Sequence, residues 1–201
     1  IFSFTPTKPI TTGEGGVITT NSVTLAKRCR LIRNFGDEGK FAWHSLGFNF
    51  RMTAMSAAIG IEQVKRLPAN VERRREIAAA YNETFFSMEA ITLPNYAAGQ
   101  RSNYQLYPML LDTAKLGMTR DEVIDQLAAR GVAARLYYPA MHRMGVFAPF
   151  GPFDDEQFPV AGRYAAASRC LPVYVGMTSE QQQHVIQSVQ EVTTEAAKQT
   201  A

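Results

Sequence analysis

At 201 residues, 46% of them hydrophobic and 19% charged, the chain can bury one sizeable core or two small ones. A disordered chain is excluded, because it would carry fewer apolar residues and more net charge. The formal charge of +3 comes without a long basic run, so nucleic acid is not an expected partner, whereas an anionic substrate suits the balance.

Residues 1–4 (IFSF) read as the end of a buried strand. Thr5 to Gly16 is a loop of Pro, Thr and Gly, and Val17 to Thr20 a short β-branched strand. Asn21 or Ser22 caps a helix to about Asn34. Residues 35–51 form an irregular, aromatic-rich loop. Thr53 caps a helix from Ala54 to about Arg66, which Pro68 is expected to break. A second helix is expected from Asn70 to Met88, with Val71, Ala78, Tyr81, Phe85 and Met88 as core contacts. Its Arg73-Arg74-Arg75 cluster reads as a solvated face.

Residues 93–102 look like a linker. Tyr104–Leu111 is the next strand. Thr119 and Glu122 form a capping box for a helix to Arg130, closed by Gly131. Val132–Tyr138 is predicted as a strand, 139–158 as a long Pro/Gly/aromatic loop, Val160–Ser168 as a helix and Cys170–Tyr174 as a strand. Thr178 and Gln181 form a second capping box, for a helix to about Val192, and the tail after it is expected to fray. Alternating strands and helices argue for an α/β or α+β fold, with a division in the 66–102 region.

Cys29 and Cys170 lack metal-type spacing and read as reduced thiols, which fits a cytoplasmic protein; no metal site is expected. No apolar run nears the roughly 20 residues of a membrane-spanning helix, and no membrane partner is expected. The chain opens without Met inside an apolar segment, so residue 1 reads as an interior position of a longer protein.

The most informative stretch is Ser3-Phe4-Thr5-Pro6-Thr7-Lys8-Pro9-Ile10-Thr11-Thr12-Gly13-Glu14-Gly15-Gly16. Lys8 follows a strand and stands before a proline, which favours extended backbone and a stiff loop. The end of a strand is a common place for a catalytic group in α/β folds. Lysine attacks aldehydes when burial or a cationic neighbour makes it neutral. The hydroxyls of Ser3, Thr5, Thr7, Thr11 and Thr12, with glycine amides, offer phosphate donors. An ordinary exposed turn lysine has the same composition, and GEGG is not a P-loop. The residues by themselves leave both readings open.

Residues 2–16 resemble the Schiff-base lysine segment of the DegT/DnrJ/EryC1/StrS aminotransferases, F-S-F-x-x-x-K-x-(I/L)-x-x-G-E-G-G. Gly47-Phe48-Asn49-Phe50-Arg51-Met52-Thr53 is similar to that family's G-Y-N-Y-R-M-T. FPVAGRYAAASRCLPVYVGMTSEQQQHVI is similar to its C-terminal block.

The resemblance implies an α/β fold, the pyridoxal-phosphate (PLP)-dependent transferases of aspartate aminotransferase fold type I. Residues 1–75 would be the C-terminal remnant of the large PLP-binding domain and 76–201 a small C-terminal domain, the N-terminal half being absent. It implies that Lys8 bonds to pyridoxal 5'-phosphate and moves a proton between substrate and cofactor. It implies that Ser3 binds the cofactor phosphate, and that Asn49 binds the same phosphate from the neighbouring subunit of a homodimer with shared active sites. Arg51 becomes a candidate for a substrate carboxylate, with a structural ion pair as the alternative. Tyr137-Tyr138-Pro139-Ala140-Met141-His142 resembles the H-Y-x-P-x-H segment bordering the sugar site, which makes Tyr137 and His142 substrate candidates. Tyr137 replaces the first His of that pattern, and Gln105 stands where many relatives carry His.

The implied reaction moves an amino group from an amino acid, glutamate being the candidate donor, to a nucleotide-linked keto-sugar. The 201 residues alone are expected to bind PLP poorly and to be inactive. A PLP-dependent sugar dehydratase is the alternative within the family, disfavoured because those relatives carry histidine in place of Lys8. A non-catalytic fragment or regulatory relative is the alternative outside it.

Overall fold

The computed structural model describes residues 1–39 and 41–200. They divide into two compact units, Ile1–Asn70 and Val71–Ala201.

The first unit opens with β1 (Phe2–Ser3), paired antiparallel to β2 (Gly16–Val17), with Phe2 opposite Val17 and Ser3 opposite Gly16. The strand expected at residues 1–4 is therefore present but not buried. Ile1 is 93% exposed and Phe2 is exposed as well, because a two-residue ladder has no layer over it among the described residues. Ordered pairing also stops at Val17, short of the strand predicted to Thr20.

The helix α1 (Val23–Ile32) starts where Ser22 Oγ accepts from the Leu25 amide, satisfying one of the free donors of the first turn. The 35–51 loop folds back on the end of α1: the Phe48 amide donates to Ile32 O at 2.7 Å and the Phe50 amide to Arg33 O at 3.0 Å. Gly47 permits this approach, since a Cβ there would lie 2.2 Å from the Gly36 nitrogen.

The helix α2 (Ala54–Phe85) runs unbroken through Pro68 and joins the two helices predicted on either side of it. Thr53 Oγ1 accepts from the Ser56 amide at its start. Proline removes one hydrogen bond, to the carbonyl of Val64. Val64 is exposed, and the following turns are held by the core contacts of Ile77, Ala78, Tyr81 and Phe85, so the helix survives the loss.

In the second unit a three-stranded antiparallel sheet has the order β3 (Ile91–Thr92), β4 (Tyr107–Leu111), β5 (Ser168–Leu171). Alternate residues of β4, Tyr107, Met109 and Leu111, enter one core with Ile77, Tyr81 and Phe85 of α2. The short helix α3 (Thr113–Leu116) adds Leu116, and α4 (Arg120–Ala129) adds Val123 and Leu127. The helix α5 (Pro159–Ala167) precedes β5, and α6 (Ser179–Thr200) closes the core with Val185, Ile186, Val189 and Val192. Both predicted capping boxes form, at Thr119/Glu122 and Thr178/Gln181. The helix after the second runs on to Thr200 instead of fraying past Val192.

Val132–Tyr138 is not a strand. Val132 and Ala134 are buried between exposed neighbours, the alternation of a strand. Only Arg135 pairs with Cys170, by two backbone hydrogen bonds of 2.9 and 3.1 Å. The 139–158 segment is a loop with two 3-10 turns, Met141–Arg143 and Gly145–Phe150.

The Arg73-Arg74-Arg75 cluster also departs from expectation. It clamps loops to α2. Arg74 is buried, and its Nη1 donates to Tyr104 O at 3.1 Å and to Val173 O at 2.9 Å. Arg73 Nη2 donates to Met177 O and Arg75 Nε to Ser102 O. Burial pushes the Arg74 guanidinium below its usual range, yet two segments, 102–104 and 173–177, end on this helix through such bonds.

Arg74→Met keeps the aliphatic stem and strands the carbonyls, so it is expected to destabilise the second unit by about 1–3 kcal/mol. Denaturant unfolding followed by circular dichroism measures it. An unchanged midpoint would show that the clamp is idle.

Candidate active site

The Lys8 loop is closed by one peptide. The Phe4 amide donates to Gly15 O at 2.9 Å, and Phe4 O accepts from the Thr12 amide at 3.0 Å and from Thr11 Oγ1 at 2.8 Å. Inside that closure the Lys8 amide donates to Thr5 O at 3.1 Å, making a tight turn around Pro6 and Thr7. Thr12 Oγ1 donates to Glu14 O at 2.8 Å, and the Gly13 amide donates to Thr11 Oγ1. Two of the hydroxyls expected as phosphate donors, Thr11 and Thr12, are thus committed to holding the loop.

Ser3 and Thr5 remain at its open side. Ser3 Oγ donates to Thr5 Oγ1 at 3.3 Å and is itself approached by the Thr5 amide at 3.4 Å. The Lys8 side chain is half-buried and, among the described residues, belongs to no ion pair. An amine without a counter-charge, on the same short loop as neutral hydroxyls, is a donor set that fits an aldehyde carrying a phosphate.

Asn49 and Arg51 lie on the strip returning from the 35–51 loop. Asn49 forms an isolated bridge with Asn34. Arg51 Nη1 donates to Asn34 Oδ1 at 2.6 Å, and its guanidinium sits 5.0 Å from the centre of the Phe35 ring. Its hydrogen-bonding partner is neutral, and among the described residues no carboxylate pairs with it. Arg51 lines an open cleft of about 600 Å³ with Glu14, Gly15, Gly16 and Met52. Lys8 does not line that cleft, and among the described residues no hydrogen bond joins Lys8 to Ser3, Asn49 or Arg51.

Tyr137 and His142 belong to the second unit. Tyr137 is half-buried with its ring edge-on to Tyr138 at 5.2 Å. The His142 side chain is 6% exposed, stacks on Phe158 at 5.1 Å, and places Nε2 2.8 Å from Asp155 Oδ1. Asp155 also accepts from Arg143, from Nε to Oδ1 at 2.9 Å and from Nη2 to Oδ2. Beside this clasp lies an apolar pocket of about 340 Å³, lined by Met141, His142, Phe147, Phe153, Phe158 and Ala161. Asp155 escaped the sequence reading; a His-Arg pair with an acid later in one long loop is the faint signal that points to it.

The family model of the DegT/DnrJ/EryC1/StrS aminotransferases matches residues 1–190. The chain belongs to this family. Among DegT/DnrJ/EryC1/StrS relatives, GDP-perosamine synthase of Caulobacter vibrioides is 34% identical over 95% of this chain and 51% of its own length. The UDP-4-amino-4,6-dideoxy-N-acetyl-beta-L-altrosamine transaminase of Campylobacter jejuni is 32% identical over 73% of this chain and 40% of its own. DesV from S. venezuelae superposes with a TM-score of 0.89 at 29% identity, over 96% of this chain and 50% of that one. The fold is therefore that of the PLP-dependent aminotransferases, in part. The chain spans about half the length of the curated relatives it matches.

The Arg143 hydrogen bonds, and then that of His142, hold the Asp155 carboxyl down at about 2, against an ordinary 3.8. A carboxylate lowered on folding stabilises the fold fully above its unfolded value and loses that contribution as pH falls through about 2. A carbon-detected NMR titration is expected to give Asp155 a midpoint near that value, and Arg143→Ala to raise it. An ordinary midpoint in the unaltered chain would show the clasp to be open in solution.

Proposed function

We propose that this chain is the lysine-bearing part of a PLP-dependent aminotransferase that moves an amino group from an amino acid, glutamate being the candidate, to a nucleotide-linked keto-sugar. One observation carries the reading: Lys8 stands without an ion-pair partner among the described residues, on a loop closed by Phe4, within a family match that covers nearly the whole chain. The names of the relatives, a GDP-sugar synthase and a UDP-sugar transaminase, support the substrate class.

PLP, when bound, supplies the electron sink that lets an amino group leave one carbon and join another. Lys8 Nζ would hold that cofactor through its aldehyde carbon, with loss of water, and as the free amine would take up and return a proton at the substrate carbon. Ser3 Oγ, with the Thr5 hydroxyl and amide beside it, would hold the phosphate. Asn49 serves the phosphate of the neighbouring subunit in a homodimer. Arg51 offers a fork not neutralised by any described carboxylate to the donor's carboxylate. Tyr137 and His142 border the acceptor.

On this reading residues 1–75 are part of a large PLP-binding domain and 76–201 form the small one, supported by the division at Asn70. The 201 residues by themselves hold PLP weakly, since Ser3 and Asn49 stand exposed. Two free cysteines support a cytoplasmic setting.

Borohydride reduction of the complete, PLP-loaded enzyme followed by peptide mapping is expected to place the label on Lys8. Lys8→Ala is expected to abolish both the label and turnover. Label on another peptide, or turnover retained in the variant, would remove the basis of the proposal.

A further inference from the structure

The 139–158 loop holds a polar clasp beside an apolar pocket, and the family likeness assigns no role to the acid at its centre. Asp155 takes Arg143 with both oxygens and His142 Nε2 with one. Its place is set twice over. The Gln157 amide donates to Asp154 Oδ1 at 3.0 Å, forming the turn that carries Asp155. On α5, Gly162 leaves the carboxylate room, since a Cβ there would lie 2.8 Å from Asp155 Cγ.

An ionised carboxylate only accepts hydrogen bonds, so the His142 nitrogen facing it carries the hydrogen. In the neutral ring that leaves Nδ1 as the acceptor nitrogen. It also fixes the ring plane, because the same ring stacks on Phe158, a wall of the pocket. If Asp155 is removed, the ring is free to turn about its χ angles, and the pocket wall turns with it.

We infer that Asp155 is a positioning residue: through His142 it sets the shape of the apolar pocket that receives the acceptor substrate. The inference rests on the aminotransferase reading for what enters the pocket. The geometry of the clasp stands apart from that reading.

The test uses the complete, PLP-loaded enzyme with Asp155→Ala, Asp155→Asn and Gly162→Ala. The donor half-reaction with glutamate and the acceptor half-reaction with GDP- and UDP-linked keto-sugars are followed separately by absorbance. Asp155→Ala is expected to raise the acceptor KM about tenfold, the loss that follows from one charge-assisted hydrogen bond, with kcat and the donor half-reaction unchanged. Asp155→Asn keeps an oxygen that accepts from His142 and is expected to recover part of the loss. Gly162→Ala pushes the carboxylate away, so it reproduces the acceptor defect and adds nothing in the Asp155→Ala background. Equal slowing of both half-reactions, or of neither, overturns the inference.

Should the unaltered enzyme aminate none of these sugars, the aminotransferase reading fails. Nitrogen NMR of the His142 ring then decides the clasp by itself. A hydrogen on Nε2 that Asp155→Ala releases supports the positioning role. A ring in the unaltered enzyme with its hydrogen on Nδ1 and none on Nε2 overturns it.

Discussion

The peptide of Phe4 is the constraint on which the candidate site depends. Its amide reaches Gly15 and its carbonyl collects the Thr12 amide and the Thr11 hydroxyl, so both ends of the lysine loop meet at one residue. A closed loop loses far less entropy when it receives a ligand than an open one. Within it, prolines at positions 6 and 9 remove backbone donors and limit φ on either side of Lys8. The loop thus presents one amine from a backbone that has little left to satisfy.

The two units are held by different means. In the second, Tyr81, Tyr107 and Phe85 are fully buried, and their rings meet at 5.0 and 5.8 Å around Tyr81. Apolar burial of that size is the usual source of stability. In the first, the only buried residues among those described are Ile10, Thr12, Gly36 and Gly60. Its order comes from backbone hydrogen bonds: the Phe4 closure, and the ladder from α1 to the strip carrying Asn49 and Arg51. The residues proposed for cofactor chemistry therefore sit on the unit with the thin core, and those proposed to border the acceptor on the unit with the thick one.

Local signals were legible in the sequence where a side chain answers a backbone group within a few residues. Ser22, Thr53, Thr119 and Thr178 all cap the helices they were expected to cap. The lysine loop was legible through family likeness, not through its composition. Features decided at long range were not legible. Pro68 breaks a helix in isolation, but here the turns after it are packed by Tyr81 and Phe85. Residues 132–138 alternate as a strand does and lack only a neighbour long enough to pair with. Arg74 reads as solvated until the loops at Tyr104 and Val173 close over it from 30 and 99 residues away. Asp155 belongs to the same class, since its partners lie 12 and 13 residues back in an irregular loop.

Departures from the family pattern fall at Tyr137 and Gln105 of the thick-cored unit and, in the first unit, at Phe48 and Phe50, outside the lysine segment, which fits it throughout. Physics favours that division. An aldehyde, a phosphate and a transferred proton demand the same few groups whatever sugar is used, so the closed loop around Lys8 has little room to vary. An acceptor is chosen by the shape of an apolar pocket and by the direction of a few polar atoms, and both can change at a loop without disturbing a core. The His142–Asp155–Arg143 clasp fits that need: it ties the loop at side chains and not by a backbone ladder. In a loop pinned in this way, exchange of the residues around the pins can change the pocket's shape without unpinning it.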